Sequence, residues 1–576
     1  MKSTTFSLRM AWYWLACLIA VFTYFYGLDS QHIPKNGDEH PYAHITRLTA
    51  DSGHLLPLQS QMDNMRNTKP PLLFWQGIAS TAWGKGWTLW NLRYPSVIYT
   101  LLTAAMLFML GWKLTSKLET GFIAALTFLA FFSTYRFGRP FLTNPPEVFW
   151  IFLPFFVLLY WRQAFTSRWL IPLLFGIGIG CGFLYKSFAL GLPVTLGLAA
   201  WHLHQRQYCV SEFLKQDAMK VVITLSVAVA LFAMWFVLDP NPQSVWQEFV
   251  VGENVGKFDP HGASYLQKLL WGSSSIWSYA LAFLINPGLL TLPVVALFFV
   301  AYQRRSLLSN EEKLLWIWIA VMFLSFSLPS QRSGRYLLAA MPAVALLCAL
   351  NWQLISRKAF VTSLVLSGAL IIGIAYLAVR LETEMPDAQL YPLTFWLLIA
   401  GAGALTLLAI IVPALTRPCV NTVALLALLC LAVSLRPFDT ALGNYSTEAL
   451  NYAKGKNIWV PCNFRAKDEG HRFILPGAEI HGYSEDQNLS VSELAARYSL
   501  FAVQLALNDN TQNNACTTCK IIGQRLAIRS RPSSAELKEI FVGGKIFQHL
   551  FVKEILMESP TGGKAIYAQT LAQACR

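Results

Sequence analysis

Charge is what this chain has least of. Only 13% of its 576 residues are Asp, Glu, Lys or Arg, about half the share of an ordinary soluble domain. That shortage, beside 55% hydrophobic and 14% aromatic residues, excludes a soluble cytosolic enzyme and a disordered chain. Ten cysteines in 576 residues exclude a small disulfide-built scaffold, and 28 prolines with 35 glycines, near average usage, exclude collagen-like and low-complexity chains. The sequence also lacks a Walker A loop, a dinucleotide-binding glycine fingerprint, a His-Glu-x-x-His pair and a Gly-x-Ser-x-Gly elbow. Coupling to bound ATP therefore has no support. What remains is an integral membrane protein.

A bilayer core of about 30 Å takes roughly 20 mostly apolar helical residues to cross. Thirteen stretches read as spans, near 11–28, 94–112, 118–135, 147–161, 169–185, 187–203, 219–238, 276–302, 314–329, 336–354, 359–379, 392–413 and 419–436. The net charge of +14 is spread in short basic clusters between these stretches rather than gathered on one soluble face, which argues for membrane orientation and against nucleic acid. With Lys2 and Arg9 in the cytoplasm, the alternate loops hold Lys113 and Lys117, Arg162 and Arg168, Arg206 with Lys215 and Lys220, Arg304 with Arg305 and Lys313, Arg357 with Lys358, and Arg417. Every loop on that side is basic, and an odd number of spans leaves the tail outside. The first span reads as a retained anchor.

Two outer segments, 29–93 and 239–275, are longer than connectors need to be. Residues 41–48 suit a short amphipathic helix along the membrane surface. After about 437 the chain turns polar, with β-like runs at Ile458–Val460, Phe473–Leu475, Leu500–Leu505, Ile521–Ile522 and Ile546–Phe551. The expected architecture is a mainly α polytopic membrane unit over 1–436 and an α/β soluble domain over 437–576. Cys462, Cys516, Cys519 and Cys575 lie in that tail, where structural disulfides are favoured over zinc or thiol redox chemistry for Cys516-Thr-Thr-Cys519.

Ionisable groups at the outer ends of spans are costly unless paired or used. Asp38-Glu39 follows the first span beside Gly37. Either Asp38 orients or deprotonates an acceptor hydroxyl, or it holds a cation, or the dipeptide is a solvated turn. Lys69, set by Pro70-Pro71 above Phe74-Trp75, suits a phosphate or snorkels to a headgroup. The same face carries Arg136, Arg139, Asn144, Glu147, Lys186, Glu253, Lys257, His261, Arg332, Arg335 and Tyr336. The economical interpretation is one cavity in which cations meet a phosphate and carboxylates meet a polar acceptor, because their attraction is strongest where water is sparse.

In order, Asp38-Glu39 with Tyr42-Ala43-x-Ile45, Lys69-Pro70, Leu142-Thr143-Asn144-Pro145, Lys186, Glu253 with Lys257-Phe258, and Arg335-Tyr336 resemble the bacterial aminoarabinose transferase family. That family is related to protein O-mannosyltransferases within the GT-C class, and the resemblance covers roughly 10–350. It implies a multi-pass protein of the bacterial inner membrane, a periplasmic site, a sugar donor on a polyprenyl phosphate, and inverting transfer to lipid A or another envelope lipid, glycan or protein. It further implies an acidic residue at the reaction centre, matched by Asp38, and a phosphate-holding lysine, matched by Lys69. Glu39 and Glu147 join Asp38 as candidate catalytic groups; Lys69, Arg139, Asn144, Lys186, Glu253, Lys257, His261, Arg335 and Tyr336 are candidate substrate contacts. Two positions depart from the family. Thr68 stands where relatives carry a Glu that helps bind a divalent metal, which leaves His261 as a weak ligand candidate. Asn144 replaces an acidic residue, with Glu147 three places on. The other readings are a transporter or flippase of lipid-linked substrates and a degenerate envelope scaffold; the absence of duplicated inverted halves weighs against transport.

Overall fold

A helix that is apolar on every side has no aqueous face to present, so it belongs in lipid or in a protein core. The structure, a computed structural model, describes residues 2–560 except 63–64, 258–264, 386–388, 464, 508–515, 517, 529–532, 542–547 and 550. Six described helices are long and apolar enough to cross a bilayer: Leu8–Phe25, Leu89–Thr115, Ala218–Leu238, Arg357–Glu384, Leu393–Ile411 and Pro413–Ser434. Shorter apolar helices, Leu118–Ala130, Asn144–Tyr160, Leu170–Tyr185 and Gly334–Leu350, pack among them. All thirteen stretches read from the sequence fall on helical segments, whereas length and composition alone qualify six, or seven with one bent pair. The chain is a mainly helical, multi-pass membrane protein with a small C-terminal sheet.

That bent pair corrects the expected single span at 276–302. Ile276–Ile285 and Gly288–Gln303 meet at 95°, because Pro287 at the junction cannot continue a helix. A second interruption lies at Phe131, between Leu118–Ala130 and Phe132–Phe137. The two breaks satisfy one another: the amide of Ser133 donates to the Asn286 carbonyl at 2.9 Å and that of Phe132 to the Pro287 carbonyl at 3.5 Å. Backbone groups freed inside a bilayer must find such partners.

Small residues set how closely the helices approach. A Cβ added at Gly176 would stand 2.6 Å from the Val227 Cβ, and one at Gly180 would stand 2.8 Å from a Leu231 methyl. This small-xxx-small pair seats Leu170–Tyr185 against Ala218–Leu238.

The basic loops assemble at one end of the bundle. Arg162 pairs with Glu311, His204 Nε2 lies 2.6 Å from Asn310, Arg304 donates to Asn351 at 2.9 Å, and Arg417 donates to the Ile355 carbonyl at 2.9 Å. The opposite end carries the long loops, including helix Glu39–Asp51 over the expected amphipathic stretch.

The polar tail folds as a five-stranded sheet of order β2-β1-β3-β5-β4. Its strands are β1 (Asn457–Cys462), β2 (Glu479–Ser484), β3 (Leu500–Ala506), β4 (Lys520–Ile528) and β5 (Phe551–Glu558). β1 runs parallel to β2 and β3, while β5 is antiparallel to β3 and β4. Phe473–Leu475 is not a strand: Phe473 and Ile474 close helix Glu469–Ile474, and the strand is β2, whose polar residues hid it. Of the run expected at Ile546–Phe551, residues 546–547 and 550 lie outside the described residues and Phe551 opens β5. Cys516 and Cys519 form a disulfide and Cys462 is also disulfide-bonded, while Cys575 lies outside the described residues.

The sheet, which packs on the segment after the last helix, is also clamped to the first long loop. Glu469, fully buried, accepts from Arg47 Nε at 3.0 Å, faces His44 at 3.4 Å and Arg472 at 3.3 Å. Burial pushes its pKa up, but His44 and Arg47 prevail and hold the carboxyl at about 2. Behind the sheet, Glu554 accepts from Arg525 at 2.7 Å, Gln504 at 2.7 Å and Tyr445 at 3.0 Å.

Candidate active site

Five segments that are remote in sequence bring side chains to one cavity of about 590 Å³ at the loop-bearing end. Asp38 caps helix Glu39–Asp51 without spending its carboxylate on the helix amides. Lys69 precedes the Pro70-Pro71 turn into helix Leu72–Ser80. Lys186 terminates Leu170–Tyr185, where its amide closes on the Gly182 and Phe183 carbonyls at 3.2 Å each. Glu253 lies on a π-helical turn, Trp246–Asn254, a geometry that often marks functional sites. Arg335 opens the 3-10 stretch Gly334–Ala340, and Asn286 anchors that opening by donating to the Gly334 carbonyl at 3.1 Å.

Each cation is matched with a carboxylate. Arg335 donates to Asp38 at 2.7 Å, Lys69 to Glu253 at 2.5 Å and to the Thr68 carbonyl at 2.7 Å, and Lys186 to Glu147 at 2.5 Å. The Lys186 ammonium also stands 5.7 Å from the Tyr336 ring centroid, and the Arg335 guanidinium 5.7 Å from that of Phe137. Ser187 donates to Asn254 at 2.7 Å and so ties the Lys186 turn to the Glu253 turn. The rest of the wall is apolar, with Phe188, Leu190, Leu192, Phe249, Phe326 and Leu328. A charged head end and a greasy continuation suit an amphiphile whose anion exchanges places with the resident carboxylates.

Asp38, Lys69, Lys186, Glu253, Arg335 and Tyr336 thus line one cavity. Four expected residues do not. Glu39, 1% exposed, receives two hydrogen bonds from Arg93 at 2.6 and 2.7 Å and one from the Phe141 amide at 2.8 Å. Burial pushes its pKa up, yet Arg93 outweighs that and keeps the carboxyl below its ordinary range. It locks the loop and is not a catalytic group. Arg139 is fully buried, donating to the Tyr24 carbonyl at 3.0 Å and to that of Tyr26, with its guanidinium 4.4 Å from the Tyr135 ring centroid. It ties the first helix to the second outer loop and is out of a substrate's reach. Glu147, 1% exposed, sits behind Lys186, and Asn144 donates to the same Glu147 oxygen at 3.2 Å. Both position Lys186 rather than touching the cavity. The side chain of Lys257 and all of His261 lie outside the described residues.

Tyr42 and Thr143 are among the cavity-lining polar residues that sequence reasoning did not pick out as site residues, with Thr68, Ser187, Asn254 and Ser325. Tyr42 lies one helical turn after Asp38 and lines the cavity, its hydroxyl pushed to a higher pKa by burial and then by the Asp38 charge. Their i, i+4 spacing is the signal that was legible. Thr143 lines the wall where Asn144 was expected.

A family model described as dolichyl-phosphate-mannose-protein mannosyltransferase matches residues 10–247. The undecaprenyl phosphate-alpha-4-amino-4-deoxy-L-arabinose arabinosyl transferase 2 of Proteus mirabilis is 26% identical over 68% of this chain and 69% of its own. A relative with the corresponding name from Pectobacterium carotovorum is 28% identical over 55% of this chain, which spans 56% of that relative's length. The crystal structure of ArnT from Cupriavidus metallidurans bound to undecaprenyl phosphate matches 96% of this chain and 99% of its own at a TM-score of 0.59 and 16% identity, a likeness of fold. Fold, site and relatives define a membrane glycosyltransferase of the GT-C class. Within that class the chain is aminoarabinose-transferase-like.

Proposed function

We propose that the protein moves a sugar from a polyprenyl-phosphate donor to an acceptor at the periplasmic face of a bacterial inner membrane, with inversion at the sugar carbon. The observation that carries this is the single cavity in which Asp38, Lys69, Lys186 and Arg335 meet beside an apolar wall. The relatives' names and the undecaprenyl phosphate bound in the fold relative support the donor class.

The leaving group needs no activation beyond charge. An acceptor oxygen attacks the anomeric carbon while the bond from that carbon to the phosphate oxygen breaks, and its electron pair departs on the phosphate. Lys69, Lys186 and Arg335 receive the growing negative charge, and the walls hold both lipids in line. When the acceptor is a hydroxyl, its proton passes to the Asp38 carboxylate. When the acceptor is already an ionised phosphate, as lipid A supplies, no base is required and Asp38 orients it. Lys69 withdraws from Glu253 as it engages the donor, and Glu253 is then available near the acceptor.

The proposed transfer does not depend on a divalent metal. Thr68 offers a buried neutral hydroxyl without a hydrogen-bond partner where the family resemblance implies a carboxylate. No step is routed through one. The broader organisation we propose is thirteen crossings over 1–436, with loops 29–93 and 239–275 outside, and a periplasmic domain over 437–576. The basic loops collected at the end away from the cavity support that polarity.

Purified protein in proteoliposomes, given radiolabelled polyprenyl-phosphate sugars and a panel of envelope lipids, tests the proposal. Transfer by the wild type that falls in Asp38→Asn, steeply for a hydroxyl acceptor and less for a phosphate acceptor, is expected. Label that crosses the bilayer without a new glycoside overturns it in favour of transport.

A further inference from the structure

A second cavity, of about 690 Å³, opens between the first outer loop and the sheet. It shares no lining residue with the reaction cavity. Its volume falls in the range of small-molecule sites.

Three cations and one carboxylate, Glu485, line it. Lys35 comes from the loop, Lys467 from the turn after β1, and Arg525 from β4, joined by His32, His40 and His471. Most of these charges are already answered: Lys467 pairs with Glu485, and Arg525 with Glu554 at 2.7 Å. Lys35 is not. Among the described residues it makes no hydrogen bond or ion pair, and it is exposed in the cavity wall. The Nδ1 atom of His471 is likewise buried without a hydrogen-bond partner.

The surrounding bases register the same surplus. Burial, followed by the Lys35 charge, lowers His32 and His40 to about 4, so both rings are neutral at pH 7. Lys35 itself is lowered by burial and by Arg525 and Lys467. An anion placed among them would offset all three shifts. Gln504, which accepts from Lys467 at 3.0 Å, and the Tyr483 and Asn488 side chains supply polar wall for hydroxyl groups.

We infer that this cavity is a second anion site, shaped for the phosphate monoester of a sugar, with Lys35 as its anchoring cation. The ligand is either a free sugar phosphate or the phosphorylated sugar head of a glycolipid. The site communicates with the reaction cavity through a short tether: Lys35 and His40 bracket Asp38, and the intervening turn is held by the Asn36 side chain accepting from the Asp38 amide at 3.1 Å. Gly37 packs so closely that a Cβ there would stand 2.9 Å from an Arg465 nitrogen. Occupancy therefore bears on the segment that presents Asp38.

The test uses the full-length protein in phosphatidylcholine nanodiscs and isothermal titration with inorganic phosphate and glucose 1-phosphate. A parallel arm compares nanodiscs with and without lipid A. Saturable binding is expected in at least one arm: the soluble arm identifies a free sugar phosphate and the lipid arm a headgroup. Lys35→Gln should weaken it by about 10- to 100-fold, the scale of one charge-assisted hydrogen bond, while Lys35→Arg retains it. Lys69→Ala and Asp38→Asn, which weaken the proposed transfer, should leave this binding unchanged, so the two proposals fail separately. Melting curves check that Lys35→Gln folds; if it does not, protection of Lys35 from reductive methylation by bound ligand replaces it. Binding insensitive to Lys35, binding lost instead in Lys69→Ala, or no saturable binding at millimolar probe overturns the inference.

Discussion

Arg335 donates to Asp38 at 2.7 Å across a sequence separation of 297 residues. The two side chains are 27% and 38% exposed, so the pair stands in the cavity wall, open to a substrate. Asp38→Asn keeps the shape and removes both the charge and the proton acceptor. A fall of about 10²–10⁴-fold in turnover is expected if the acceptor is a hydroxyl, with melting unchanged; radiolabel transfer in proteoliposomes measures it. Against a phosphate acceptor the same variant should lose less turnover and show a raised acceptor KM.

Lys69 should act mainly on the donor. Lys69→Ala is expected to raise the donor KM and lower kcat/KM by about 10- to 100-fold, the scale of a charge-assisted contact. The double variant Lys69→Ala/Glu253→Gln should recover no activity; donor titrations measure this, and melting curves check that both variants fold.

Glu147 and Lys186 make a pair with side-chain exposures of 2% and 13%. Removing one partner of such a pair costs about 3–5 kcal/mol, whereas replacing both with apolar groups is often neutral. Glu147→Leu should therefore lower the melting temperature markedly, and Glu147→Leu/Lys186→Met should restore it while transfer stays lost. Transfer that returns with the double variant would remove Lys186 from the proposed mechanism.

Clamping of the sheet to helix Glu39–Asp51 should fail in acid. The folded Glu469 pKa is about 2, below the ordinary value. Its contribution is therefore complete above about pH 4.5, declines as pH falls, and is gone once the folded pKa is passed, on the order of 3 kcal/mol in all. Asp468, raised by burial and by the Glu469 charge, titrates in the opposite sense. The isolating measurement is thus the difference in melting between wild type and Glu469→Gln, which should shrink between pH 5 and 2.

Much of this arrangement was legible because the bilayer simplifies the code. Long apolar stretches and basic loops announce helices and sidedness, and that sufficed to send Asp38, Lys69, Lys186 and Arg335 to one end. Adjacent positions were beyond reach. Asp38 and Glu39 are chemically alike, but successive residues of a helix point about 100° apart; one faces the cavity and its neighbour faces Arg93. Arg139 reads as a cation near a headgroup until the Tyr24 and Tyr26 carbonyls appear around it, and those come from another helix. The β2 strand was missed because Glu479, His481 and Ser484 carry no apolar alternation. The bend at Pro287 was missed because hydropathy has no term for direction.

The mutual repair of the two helix breaks has a consequence for how the protein is made. The 118–137 segment leaves the ribosome long before Asn286 and Pro287 exist, so the amides of Phe132 and Ser133 begin life in the membrane without their final acceptors. Maturation of the bundle must therefore wait for residues 286–287, and because Asn286 also fastens Gly334, Arg335 is set in place only after that late closure. Chains halted before this point would present Lys69 and Asp38 without the guanidinium that restrains Asp38, which ties completion of the cavity to completion of synthesis.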